Sequence, residues 1–250
     1  MQYTDNSCLF AVMSTAEFRE RKEEFAYKKE MLHSLGSIRY CKAELFKECI
    51  LGTIRLPQKN EQKKAQLSFG FYLTGRKVFF VEDEGKMKAW IEKQTEMFQG
   101  VDTPKQLLLR IMEHMIEEDT LYFSHMESEL DKLEEKISGG TGSNNNFFTS
   151  LIKHRQKLSE FNIYYEQLID IAELFSTCDF YQSEQDTQGW DRFMHRVEQL
   201  QNHVHLLREN VLQIRELYQS MQDAHQNKIM AVITIVTTIF LPLTLITGWY

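Results

Sequence analysis

Up to about residue 100 the apolar positions come in short runs. Beyond that point they recur every three or four residues, and at the C-terminal end they become continuous. The first run, CLFAVMS (Cys8 to Ser14), has strand length, and the charged stretch Ala16 to Leu35 has a helical pattern that stops at Gly36, so a strand leading into one helix is predicted. IRYCKAELF and CILGTIRL, between Ile38 and Pro57, alternate apolar and β-branched residues as strands do. QLSFGFYLTGRKVFFVE reads as a hairpin with Leu67, Phe69, Phe71 and Leu73 on one face and a turn at Thr74-Gly75. Asp83 to Phe98 returns to a helical pattern. Asp102-Thr103-Pro104 then has the composition of a helix start, and residues 105–137, which hold no Gly or Pro, predict one long helix ending at SGGTGSNNN (Ser138 to Asn146). A second long helix follows from Phe147 to about Cys178. From about Trp190 to Tyr250 the only breaker is Pro242, so a third helix can run roughly 90 Å at about 1.5 Å per residue. The expected fold class is α+β, an N-terminal α/β domain (residues 1–102) followed by an antiparallel pair of long helices (103–187), a stalk helix (188–228) and a transmembrane continuation (229–250).

Two patterns run along the third helix. Phe193, Val197, Leu200, Val204, Leu207, Val211, Ile214, Tyr218 and Met221 recur at alternating steps of four and three, the seam of a coiled-coil-like helix that packs on the two preceding helices or on neighbouring chains. From Ile229 to Tyr250 there is no charged residue; these 22 residues span roughly 33 Å as a helix, close to the ~30 Å hydrocarbon thickness of a bilayer. Trp249 and Tyr250 sit where an interfacial aromatic anchor belongs. Arg208, Arg215 and Lys228 precede the span, so the positive-inside tendency puts the large domain in the cytoplasm.

The polar residues of the span are more informative than its apolar ones. Asn227, Met230, Thr234, Thr237, Leu241, Thr244 and Gly248 follow at steps of three and four, forming one stripe that implies either close packing against other helices or a water-filled path. Followed backwards, the same phase lands on Asp223, Ser220, Glu216, Gln213 and Glu209, a polar and acidic line on a face expected about 100° from the seam. Read functionally, Glu209, Glu216 and Asp223 form a cation-attracting funnel in symmetry-related copies; read structurally, they are a solvated face.

Charge and chemistry narrow the functional classes. A formal net charge of −7 leaves no basic footprint for nucleic acid. The four cysteines, Cys8, Cys41, Cys49 and Cys178, form no CxxC pair, and the N-terminus lacks a charged-then-apolar signal, which fits a reducing compartment for most of the chain. His203 and His205 lie two apart, on different faces of a helix, and so do not make a shared zinc site. The helix from Glu113 to Glu135 is rich in carboxylates and reads as a solvated face or as a cation-concentrating one. No Walker loop, nucleophile elbow or His-Glu-x-x-His is present, so neither an enzyme nor an organic cofactor is expected.

The segment RELYQSMQDAHQNKIMAVITIVTTIFLPLTLITGWY (Arg215 to Tyr250) closely resembles the part of the CorA family of divalent-cation channels that ends the stalk and forms the first membrane helix. In that family Gly-Met-Asn, the signature of the selectivity loop, follows at once, so the chain reads as a portion ending just before the filter. The resemblance implies a homopentamer in the inner membrane with a cytoplasmic funnel, Mg²⁺ as the transported and regulatory ion, and pore-lining roles for Asn227, Met230, Thr237, Leu241 and Thr244, with Glu216 near the inner entrance. Family members carry Arg-Asp-x-x-Asp near the start of the stalk, where carboxylates bind regulatory ions. Here the text is WDRFMHR, with Asp191 but with Arg192 and His195 near the expected acids. Glu82, Asp83 and Glu84 are the alternative regulatory cluster or a solvated turn. The rival functions are transport of Zn²⁺ or another divalent cation, and a tail-anchored coiled-coil scaffold.

Overall fold

In a computed structural model the chain is described over residues 9–21, 25–59, 67–94, 100–138, 144–178 and 184–249. The turn expected at Ser138 to Asn146 lies largely outside these residues, as do the end of the helix expected to reach Phe98 and most of the polar stretch after Cys178. The elements are β1 (Phe10–Met13), α1 (Thr15–Glu20), α2 (Lys28–Leu35), β2 (Lys42–Leu45), β3 (Ile50–Arg55), β4 (Ser68–Leu73), β5 (Val78–Val81), α3 (Lys86–Lys93), α4 (Pro104–Met115), α5 (Asp119–Ser138), α6 (Asn144–Thr177) and α7 (Glu184–Trp249). They form two compact units, one of residues 1–125 and 157–205, the other of residues 126–156 and 206–250. The expected α+β class, a mixed sheet followed by long helices, is what the chain adopts.

The first unit is built on a five-stranded sheet of order β1-β5-β4-β3-β2, in which β1 pairs parallel with β5 and the other neighbours are antiparallel. The predicted hairpin is β4 and β5, in register Gly70↔Val81 to Leu73↔Val78, and the Thr74 backbone and hydroxyl both bond Lys77 to close the turn. Both faces of the sheet are covered. On one, Tyr72 and Phe79 pack their rings on Phe25, 5.0 and 4.9 Å between centroids, in a cluster with Phe18 and Met31. On the other, Phe71 faces Phe175 of α6, which stacks at 4.3 Å on Trp190 of α7. Gly52 is required where it stands, opposite Phe71: a Cβ there would fall 2.2 Å from the Phe71 ring.

Two predicted helices are broken, each by burial that periodicity does not reveal. The helix expected from Ala16 to Leu35 is two, α1 and α2. A capping box starts α1, with Ser14 Oγ accepting from the Glu17 amide and the Glu17 carboxylate accepting from the Ser14 amide. Its register ends at Arg21. Phe25 then joins Phe18 and Tyr72 in the core, and Tyr27 takes a left-handed φ of 55° before α2 begins. The helix expected over residues 105–137 is also two. Thr103 caps α4 by accepting from the Gln106 amide, with Pro104 in the first turn as predicted. α4 ends in a tight turn over Ile116–Glu118, and α5 starts at Asp119. Asp119 is fully buried. Tyr165 donates to its Oδ2 at 2.6 Å, and Lys59 stands 2.5 Å from its Oδ1 while also donating to the Met115 carbonyl at the end of α4. A carboxylate among the acidic residues of this stretch is thus an internal corner post, and turning the chain there is what puts it in reach of Lys59 and Tyr165. Burial pushes its carboxyl above the usual range, against the opposing pull of Lys59.

In the second unit the seam residues Leu207, Val211, Ile214 and Tyr218 of α7 are buried. Tyr218 stacks on Phe147 at 4.8 Å, takes Phe148 edge-on at 4.8 Å, and accepts a hydrogen bond from Gln222 at 2.9 Å. In the first unit Phe193, Val197, Leu200 and Val204 are buried in the same way. The seam is therefore satisfied within the chain, down to Met221, which is half-buried.

A candidate ion-conducting face on the last helix

Two residues of α-helix turn the chain by about 200°, and Glu216 stands two residues from both Ile214 and Tyr218. The acidic line thus lies opposite the buried seam, not about 100° beside it, because both lines advance at the same four-three steps while starting half a turn apart. Burial agrees: Glu209, Glu216 and Asp223 are exposed, whereas Leu207, Val211, Ile214 and Tyr218 are not. One side of the helix is committed to the fold of its own unit, and the other side is left open.

Beyond Gln222 the helix changes environment. Every residue from Asp223 to Gly248 is exposed, including Ile229, Val232, Ile233, Val236, Phe240, Leu243 and Leu245. This stretch holds the one helix among the described residues that is long and apolar enough to cross a membrane. The stripe residues Asn227, Met230, Thr234, Thr237, Leu241, Thr244 and Gly248 all lie in it. The threonine hydroxyls donate back into the helix: Thr234 to the Met230 carbonyl at 2.8 Å, Thr237 to Ile233 and Thr234 at 3.0 Å, and Thr244 to Phe240 at 3.0 Å and Leu241 at 2.9 Å. Off the stripe, Thr238 and Thr247 do the same. With the hydroxyl proton used internally, each oxygen needs no partner in hydrocarbon and keeps its lone pairs as acceptors facing outward. Such a group can receive a hydrogen bond from a water molecule on a passing cation. Pro242 sits within the helix and leaves the carbonyl one turn before it without an amide partner.

The expected regulatory residues are placed differently. Asp191 is half-buried in α7, beside Arg192, whose Nε donates to the Gln188 carbonyl at 3.2 Å, and His195 pairs with Glu198 at 3.0 Å. Glu82 is buried and accepts from the amides of Glu84 and Met87, at 3.0 and 3.2 Å, so it caps the start of α3. Asp83 accepts from the Thr15 amide at 2.7 Å, tying α1 to the turn after β5, and Glu84 pairs with Lys86. These three acids thus hold backbone and a lysine. Among the described residues no group of three or more His, Cys, Asp or Glu side chains is close enough to hold a metal ion. His203 packs edge-on against Phe123 at 5.6 Å while His205 is exposed, so the two diverge as their spacing implies.

Comparison with known proteins agrees with this architecture. The chain superposes over its full length on 81% of the CorA magnesium transporter of Methanocaldococcus jannaschii, at a TM-score of 0.80 and 17% identity. It matches full-length CmaX at 0.77 and 17% identity, with 96% of this chain and 76% of that one covered. The cytoplasmic domain of ZntB from Vibrio parahaemolyticus RIMD 2210633 matches at 0.66 and 11% identity, covering 86% of this chain and 88% of that one. At such identities these likenesses establish the fold. No curated protein matches the sequence. The family model described as CorA-like Mg2+ transporter protein matches residues 29–250, nearly the whole chain, and with the exposed apolar helix that ends the fold it places this protein in the CorA-like Mg²⁺ transporter family.

Proposed function

We propose that copies of this chain assemble as a homopentamer that conducts Mg²⁺ across the inner membrane, with the sheet-bearing unit in the cytoplasm and α7 lining the axis. The observation that carries this reading is the two-sidedness of α7 in the second unit. The seam is used up within the chain, while the opposite face presents Glu209, Glu216 and Asp223 and continues, uncharged, through the Asn-Thr stripe. A scaffold anchored by its tail needs the seam and the apolar span but has no use for that continuous polar face.

Mg²⁺ surrenders its water shell reluctantly, so a path suited to it offers acceptors to the waters on the ion rather than direct ligands. Asn227 and the outward lone pairs of Thr234, Thr237 and Thr244 are such acceptors. Carboxylate rings from Glu209, Glu216 and Asp223 raise the local cation concentration at the mouth. Met230 and Leu241, exposed on the same stripe, form apolar constrictions that close the path by dewetting, and Gly248 lets the helices approach closely at its far end.

Charge reversal tests the assignment. Each carboxylate interacts with an ion a few ångströms away by roughly 1 to 4 kcal/mol, depending on screening, so Glu216→Lys in every copy should depress Mg²⁺ flux into liposomes strongly while leaving the fold intact. The same reversal at Glu135, exposed on α5, should change flux little. Equal flux in the two variants would show the acidic line to be a solvated face only. Running the assay with Zn²⁺ as well as Mg²⁺ separates the proposed cargo from the zinc alternative, and mass measurement in detergent tests the pentamer. Divalent binding at Asp191 should be weak, because its neighbours are Arg192 and an already paired His195–Glu198. Tight, saturable Mg²⁺ binding abolished by Asp191→Ala would overturn that.

A further inference from the structure

The first unit carries a second polar feature, far in character from the acidic helix. At the end of α2 and along the edge strand β2 lies an open cleft lined by His33, Ser37, Arg39, Tyr40, Lys42 and Thr53. Its lining contains, among the described residues, two permanent cations and an imidazole but no carboxylate, in a chain whose formal net charge is −7. Among the described residues Arg39 and His33 have no ion-pair or hydrogen-bond partner for their side chains, and Ser37 and the Tyr40 hydroxyl have none either. Lys42 is paired at 2.6 Å with Glu44, but both are partly exposed, and an exposed pair of that kind yields readily to a competing anion. Thr53 is already used, donating to the Tyr40 carbonyl at 3.0 Å, which pins the backbone between Arg39 and Lys42 against β3.

We propose that this cleft binds a phosphate-bearing small molecule, held by the Arg39 guanidinium and the Lys42 ammonium, with hydrogen bonds from Ser37 and Tyr40. The planar guanidinium fork matches two phosphate oxygens at once, and a compact ammonium adds a point charge beside it. Hydroxyl donors complete a set that a carboxylate, with fewer oxygens, fills less well. The ring of Tyr40, 52% exposed at the rim, offers an aromatic face to whatever carries the phosphate. The carbonyl end of α2 opposes an anion here, but a helix terminus amounts to only about half a unit charge, against the full charges of Arg39 and Lys42. This inference does not depend on the transport reading, since every group in it belongs to the sheet-bearing unit.

The same chemistry is presented by a soluble phosphate compound and by a phospholipid headgroup, and titration separates them. The full chain in detergent would be titrated calorimetrically with pyrophosphate and with ATP, both without Mg²⁺, and separately tested for binding to vesicles of phosphatidylglycerol against phosphatidylcholine. The expected result is saturable binding of pyrophosphate or ATP that weakens roughly tenfold or more in Arg39→Gln, the loss typical of a hydrogen bond to a charged group, and is unchanged in Arg76→Gln on the β4–β5 turn. Binding confined to phosphatidylglycerol vesicles, lost in Arg39→Gln and kept in Arg76→Gln, would identify the headgroup as the source. Absence of binding to all of these probes, or binding that Arg39→Gln leaves unchanged, would overturn the proposal. Because Arg39 is exposed, its substitution should not perturb the fold, and an unchanged thermal transition of the variant verifies this.

Discussion

The sheet-bearing unit and the last third of α7 are made of much the same apolar residue types, yet they solve opposite problems. In the first, Phe69, Phe71, Phe80, Phe123, Phe175 and Trp190 are almost fully buried, and polar groups such as Asp119 and Glu82 enter the interior only with partners in place. In the second, from Asp223 to Gly248, nothing is buried, and the hydroxyls are satisfied by their own helix. A core needs partners from distant parts of the chain; a membrane helix needs only a solvent that accepts it, and must satisfy its backbone internally. The border falls just after Tyr218 and Gln222, where the seam ends and the exposed apolar stretch begins.

That contrast can be broken or sharpened by substitution. The largest effect should come from Trp190→Ala, which removes a fully buried ring stacked on Phe175 and should cost about 3–5 kcal/mol in denaturant unfolding followed by circular dichroism. Asp119→Asn should cost about 1–3 kcal/mol, because the amide nitrogen that replaces one carboxylate oxygen donates instead of accepting, so Lys59 and the Tyr165 hydroxyl cannot both keep an acceptor. It carries a pH signature as well. The folded carboxyl is raised above its unfolded value, so the ionised form is the disfavoured one in the fold: its stabilising contribution is fully present below the unfolded value of 3.8 and is lost as pH rises through the folded one. On acidification from neutrality the wild type should therefore gain stability relative to Asp119→Asn, and parallel pH profiles would remove the carboxyl from the account. Thr103→Ala, which deletes the cap of α4, should cost about 1 kcal/mol. Leu245→Ala, of similar chemistry to a core truncation but in the exposed span, should alter the unfolding of the sheet-bearing unit by less than about 0.5 kcal/mol. A loss as large as that of Trp190→Ala would mean that this leucine is buried after all.

Much of the candidate face was legible in the sequence because it is local. A seam at four-three steps, a 22-residue span without charge and a polar stripe in constant phase all lie on one helix, where spacing alone sets which residues share a side. The same holds for the Thr74-Gly75 turn and the Thr103-Pro104 helix start, whose chemistry acts within a few residues. Glu82, Asp83 and Glu84 differ, since whether an acid caps a helix or stands free for an ion depends on which amides come near it.

What the sequence by itself determined was therefore the periodic part: the hairpin, the last two long helices, the apolar seam and the residues of the polar line, which is expected about 100° from the seam and lies opposite it. Only the tertiary structure decided where the helical stretches break and what the isolated polar residues do. Phe25 leaves helical register because Tyr72 and Phe79 wait for it across the sheet, and Asp119 turns the chain because Lys59 and Tyr165, 60 and 46 residues away, meet there. The Arg39 cleft likewise exists only because β2 pairs with β3 beside the end of α2. Periodicity reports which side of an element a residue occupies, but the identity of its partner is a long-range contact, and no local spacing encodes it.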